Sequence, residues 1–218
     1  MLKKLSIATA MFAAIAFSGG AQALPISGLV NTGTGFANNA QDTNYALSVL
    51  SGATVAGAYG YVADNIGWPD GSPWIASSPD SKWLTPTTDE AQSFDPSSNG
   101  VYRWRLTFDL TGYDSSATFF SGRWAADNRG QAFLNGNLIG SASGFDSWSG
   151  FSASTGFLAG INTLDFVVTN LAQSSGNPTG IRVEFIRSDA AVAIPEPGTL
   201  ALAGLALAGI ALRRRKTA

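Results

Sequence analysis

Three tryptophans, Trp68, Trp74 and Trp83, fall within the stretch "GWPDGSPWIASSPDSKW", separated by prolines, glycines and serines. An indole left open to solvent presents a flat apolar face, and the less polar side of a pyranose ring stacks on such a face. Glycan binding is the chemistry these rings would do. The alternative is that they close the open ends of a β-structure, because large aromatics are mostly buried. Oxygen donors lie nearby in sequence or in similar loops: Asp64, Asn65 and Asp70 in "DNIGWPDGS", and Asp127, Asn128 and Arg129 in "WAADNRG". Their oxygens suit sugar hydroxyls or a calcium ion, although neither stretch has EF-hand spacing; Asx turns that satisfy their own backbone are the structural alternative. The candidate ligand-binding residues are Trp68, Trp74, Trp83, Asp127 and Asn128.

The chain has no histidine and no cysteine. Ser-His-Asp and Cys-His nucleophilic systems are thereby impossible, as are His-ligated zinc, copper or iron sites. No phosphate loop, dinucleotide fingerprint or metal-binding cysteine spacing occurs. Carboxylate chemistry, oxygen-ligated calcium or no chemistry at all remains. A glycosidase needs two carboxylates facing each other across a cleft at a defined separation. The 15 acidic residues suffice in number, yet nothing in their spacing pairs them. The expectation is a non-enzyme with no cofactor and no catalytic residue, a structural calcium ion being the one metal the residue types allow.

Both ends carry targeting features. The start, "MLKKLSIATAMFAAIAFSGGAQA", sets Lys3 and Lys4 before an apolar stretch and ends with Ala21 and Ala23 in an A-x-A arrangement. That order reads as a secretory signal helix, for export through the Sec machinery, cleaved after Ala23. At the other end, Thr199 to Leu212 is free of charge, but as a helix it spans only about 21 Å, short of a bilayer core of roughly 30 Å. Arg213, Arg214, Arg215 and Lys216 follow as a membrane-stop cluster that favours the cytoplasmic side. The proline pair in "IPEPG" holds Glu196 extended and out of the following helix.

Pro195, Glu196 and Pro197, a short apolar helix and a terminal basic run, in that order, resemble the PEP-CTERM sorting signal of Gram-negative bacteria. What the resemblance implies is recognition by an exosortase, a membrane enzyme that removes the tail. The protein would be held transiently at the inner membrane and then reach the cell surface or the extracellular space; the resemblance also implies an association with exopolysaccharide and biofilm genes.

Six of the 13 basic residues sit in the two termini, which leaves 7 basic against 15 acidic between residues 24 and 197, a net charge of −8. So acidic a surface disfavours nucleic acid and anionic lipid.

The elements that must position these residues read as strands. "VYRWRLTFDL" alternates Tyr102, Trp104, Leu106, Phe108 and Leu110 with Arg103, Arg105, Thr107 and Asp109, a period of two with one apolar face. "ATFFSGRW" follows, ending in Trp124. "AFLNGNLIG" places Asn135-Gly136 between two apolar runs, the signature of a type I′ hairpin. "LDFVVTN" and "IRVEF" add two more strands, while residues 24 to 100 look looser, with a short helix conceivable only near Ala40 to Leu50. The fold class is all-β, an antiparallel β-sandwich flanked by the signal helix and the C-terminal transmembrane-like helix. The "NG" of the hairpin, then Gly160-Ile161-Asn162-Thr163-Leu164 and a strand ending at Asn170, resemble galactose-binding-like jelly-roll modules, which implies a carbohydrate-binding appendage. The division expected is signal peptide 1–23, extracytoplasmic β-domain 24–190 and sorting signal 191–218. Extracellular polysaccharide is the leading ligand; a purely structural matrix or biofilm component is the alternative, and a carboxylate-dependent glycosidase comes third.

Overall fold

The computed structural model describes residues 23–193 except 56, 65 and 66, together with Gly204 and Leu207. The alternation that marks "VYRWRLTFDL" becomes β5 (Gly100–Asp109), and Tyr102, Trp104, Leu106 and Phe108 all point into the core. β10 (Ile161–Asn170) lies antiparallel beside it with Phe166 opposite Trp104, so the apolar faces of both strands coincide. β7 (Arg129–Leu134) pairs with the other edge of β10 and turns back into β8 (Asn137–Ala142). Asn135 and Gly136 join them with φ of 49° and 85°, as a type I′ turn requires.

The remaining strands are β1 (Ala23–Leu24), β2 (Gln41–Ser51), β3 (Tyr59–Ala63), β4 (Trp83–Thr85), β6 (Tyr113–Asp127), β9 (Ser149–Ala153) and β11 (Gly180–Val192). All eleven belong to one antiparallel sheet in the order β1-β11-β4-β3-β2-β5-β10-β7-β8-β9-β6. A further pairing of β11 with β6, from Gly180 opposite Asp127 to Val192 opposite Tyr113, closes the sheet on itself. Closure removes the open edges that would otherwise template pairing with another chain.

The two walls meet as a β-sandwich through aromatic side chains. Trp124 of β6 lies 5.1 Å from Phe166 of β10, and Phe120 meets Phe108 edge-on at 6.2 Å. A second, smaller core gathers Ala63, Trp74, Trp83 and Ala125, with the two indoles 4.3 Å apart.

Strand direction gives the body two poles. One carries Gly100, Asp127, Asn170 and Gly180 at strand ends. The other carries Asp109, Ile161, the Asn135-Gly136 turn and Val192, and here β1 pairs Ala23 with Ala191 and Leu24 with Ala190. The chain leaves the body at this second pole, hereafter the exit pole.

Two expectations change. The stretch 40–50 forms no helix: from Gln41 onward it is β2, whose Tyr45 and Leu47 point inward while Ala46 to Val49 pair with β5. The stretch 24–100 is more ordered than its composition suggests, contributing β2, β3 and β4. The expected signal helix and, apart from the helical Gly204 and Leu207, the expected tail helix, with Ala21, Asn65, Pro195, Glu196, Pro197 and Arg213 to Lys216, lie outside the described residues; among the described residues no helix is long and apolar enough to cross a membrane.

Candidate functional site

β11 sends Ile181 and Val183 into the main core, so the alternation turns Arg182 and Glu184 to the opposite face. That face is covered by the chain between Trp74 and Trp83, and both charges are buried. Arg182 donates through Nε to Ser81 Oγ at 2.7 Å, through Nη2 to Ser78 Oγ at 2.9 Å, and through Nη1 to the Ala76 carbonyl. Glu184 accepts from Ser81 Oγ at 2.7 Å, from Arg182 Nη2 at 3.2 Å and from Arg123 Nε at 2.7 Å. The Trp148 ring lies 4.5 Å from the Arg123 guanidinium and 4.8 Å from that of Arg182. Burial pushes the Glu184 carboxyl up, but Ser81, Arg123 and Arg182 together hold it below its ordinary range.

This network fixes the wall of a cleft of about 420 Å³ lined by Asp64, Asp70, Gly71, Ala76, Ser77, Ser78, Pro79 and Lys82. Lys82 Nζ pairs with Asp64 Oδ2 at 2.7 Å and also donates to the Phe36 carbonyl. Asp70 Oδ1 accepts the Ser77 amide at 2.8 Å, and burial raises its pKa against the pull of Ser77 and Arg182. Hydroxyls, carboxylates and an ammonium thus converge on a concavity floored by small side chains. Such a surface can hydrogen-bond a polyol.

The sequence candidates separate here. Trp68 sits in a tight loop whose ends bridge Gly67 to Gly71, and the residue is 47% exposed. Trp74 and Trp83 are buried, so no three-ring exposed platform forms. Ala63 and Ala125 leave room that the two indoles fill. Trp83 Nε1 donates to the Ile75 carbonyl at 2.8 Å, and Trp74 Nε1 donates to Asp127 Oδ2 at 2.8 Å. Asp127 ends β6 as a buried residue, not as part of an open loop; its Oδ1 has no hydrogen-bond partner, and burial pushes its pKa up to about 7 against the Trp74 bond. Asn128 is half-buried and accepts the Leu171 amide at 2.7 Å. Neither residue lines the cleft, whereas Asp64 and Asp70 both do.

Asn135 and Asn162, read from the jelly-roll resemblance, meet at 2.8 Å. Asn162 also binds the Leu158 amide and the Leu158 and Gly160 carbonyls, so this motif builds the turn at the exit pole. Among the described residues no group of three or more carboxylates is placed to hold a metal ion. Sequence reading missed Arg182, Glu184, Ser77, Ser78 and Lys82. The Arg-x-Glu spacing in "IRVEF" was the available signal, since it puts both charges on one strand face.

No curated protein matches the chain. Among solved structures it is similar to a family 11 carbohydrate-binding module from Clostridium thermocellum in complex with a beta-1,3-1,4-mixed-linked tetrasaccharide, at 10% identity over 77% of this chain and 99% of that one, with a TM-score of 0.35. A family 35 carbohydrate-binding module from an environmental isolate is similar at 12% identity over 71% and 97%, TM-score 0.29. A PA14 sugar-binding domain from an RTX adhesin is similar at 14% identity over 51% and 72%, TM-score 0.29. Residues 193–216 match the PEP-CTERM protein-sorting motif, the mark of a secreted protein processed by an exosortase at its C-terminal end.

Proposed function

We propose that the body is a non-catalytic, jelly-roll-type module that binds neutral extracellular polysaccharide at the cleft beside β4, with the exposed Trp68, in the loop that runs into the cleft residues Asp70 and Gly71, as a stacking ring. The observation that carries this reading is the cleft itself: Asp64, Asp70, Ser77, Ser78 and Lys82 converge on one concave surface, and a buried ion network holds its wall in place. Preformed polar groups of this kind suit hydroxyl recognition, since little ordering remains to be done on binding. The net charge of −8 between residues 24 and 197 disfavours anionic glycans and leaves neutral ones. The cleft carboxylates support binding over hydrolysis, because Asp64 is engaged by Lys82 and Asp70 by the Ser77 amide. Binding needs no cofactor in this reading. After tail removal the module would sit at the cell surface or in the extracellular matrix.

Affinity electrophoresis in gels containing the producing bacterium's own polysaccharide tests it. Retardation should occur with and without chelator, and Trp68→Ala should reduce it while leaving the melting temperature unchanged. No retardation of the wild type in any polysaccharide removes this reading and leaves a structural matrix component.

A further inference from the structure

We propose that the exit pole is a membrane-contact surface: before the tail is removed, the body rests on a zwitterionic lipid surface through Leu24, Leu158, Ile161 and Val192. The proposal rests on the sorting reading of the tail, not on glycan binding. β11 ends at Val192, and the Ala193 amide is still bonded to the Gly112 carbonyl at 2.9 Å. The folded body therefore reaches the first residue of the sorting motif, which begins at 193, with no linker between them. Five residues, 194–198, separate Ala193 from the apolar run that starts at Thr199, and the six residue-to-residue steps between them span at most about 22 Å even fully extended. A body of this size is about 40 Å across. Whenever the apolar run is in the bilayer, the exit pole is therefore the part of the body that faces it.

The pole's surface fits that position. Leu158 and Ile161 flank the turn into β10 and are 54% and 61% exposed. Leu24 and Val192 are exposed on β1 and β11, whose pairing sets the first and last strands of the body side by side. Four exposed large apolar side chains gathered at the pole where the chain exits suit an apolar partner better than water. Asp109 and Asp114 lie on either side of the Thr111-Gly112 turn, each bonded to the hydroxyl and amide two residues on. Both carboxylates repel anionic lipid and accept the ammonium groups of zwitterionic headgroups, which decides the lipid class. Each apolar contact is weak alone. The tether supplies the second attachment signal and a high effective concentration.

The chain lacks cysteine, so one introduced thiol labels one site. Full-length protein carrying Ile161→Cys or Leu50→Cys, each with a fluorophore, is reconstituted into phosphatidylcholine vesicles containing a headgroup quencher. Quenching should be several-fold stronger at 161 than at 50, which lies toward the opposite pole. It should fall when phosphatidylglycerol is included or when Leu158→Ser is added, with the melting temperature recorded for each variant. A long Gly/Ser insertion between Ala193 and Ile194 separates attraction from proximity. Quenching that persists at 161 supports the proposal; quenching that drops to the level at 50 overturns it. Failure of the chain to float with vesicles at all removes the anchoring premise instead, and flotation reads that outcome separately.

Discussion

Trp74 donates its indole N–H to Asp127 Oδ2 at 2.8 Å, and this one bond ties the tryptophan loop to the end of β6. Its acceptor is a carboxyl group that burial holds protonated to about pH 7, with the second oxygen unpartnered. The loop that carries the cleft is thus pinned by a group that titrates near neutrality.

A pH dependence follows. Asp127 binds its proton more tightly in the folded chain, with a pKa of about 7, than in the unfolded chain, where about 3.9 is ordinary. Its contribution is complete below about pH 4, falls as pH rises and is gone above about pH 7, a change on the order of 4 kcal/mol. Asp127→Asn keeps an acceptor for Trp74 but cannot ionise. Chemical denaturation between pH 4 and 8 should show the wild type losing stability relative to this variant as pH rises; parallel curves would show that Asp127 titrates normally.

Removing Arg182 should loosen the cleft wall. Arg182→Ala strips the Ala76 carbonyl, Ser78 and Ser81 of their donor and leaves Glu184 with Arg123. A cost of about 3 kcal/mol is expected, the low end for breaking a buried pair, because Glu184 keeps one cation. In contrast to Trp68→Ala, glycan retention and stability should fall together. Unchanged stability in urea melts would mean that the network is dispensable.

Within β5, Trp104→Ala should cost about 3 to 5 kcal/mol, because a fully buried ring leaves a cavity. Arg103→Ala should cost far less: it is half-buried on the other face, with one bond to Ser48 Oγ at 3.3 Å. Equal effects in denaturant titrations would reverse the assigned facing.

The mature protein should begin at Leu24 and lack the tail beyond Pro195 to Pro197. Mass spectrometry of extracellular material from a producing bacterium should find neither Ala21 nor the Arg213 to Lys216 cluster. An intact basic terminus on the secreted form would contradict processing.

Much of this fold was legible because β5, β10 and the Asn135-Gly136 hairpin obey local rules, a period of two and a turn needing positive φ. β2 was hidden by the irregular register between Asp42 and Ala46 in its pairing with β3, which breaks the alternation and buries an aspartate. The tryptophan stretch left two readings open, exposed platform or buried closure, for a different reason. Composition says that Pro, Gly and Ser make loops, but not that a loop packs Trp74 and Trp83 onto Ala63 and Ala125. Arg182 and Glu184 alternate with Ile181 and Val183 as residues of a solvated strand face would, and only the covering chain, about 100 residues earlier in sequence, buries them.

β11 is the last strand of the body and the one on which closure depends, since it pairs with β1, β4 and β6. The segment after β1 also docks on it, with the Thr32 amide reaching the Val183 carbonyl at 3.1 Å and the Ile26 amide reaching Ser188 Oγ at 3.1 Å. A chain threaded from its N-terminus across a membrane delivers these partners first and their common template last. Under export of that kind, closure of the sheet would wait for β11, which ends at Val192, with the sorting motif that starts at residue 193 directly behind it. Pairings of such long sequence separation form slowly. Under such export, completion of folding and presentation of the sorting motif would coincide, set by the position of one strand.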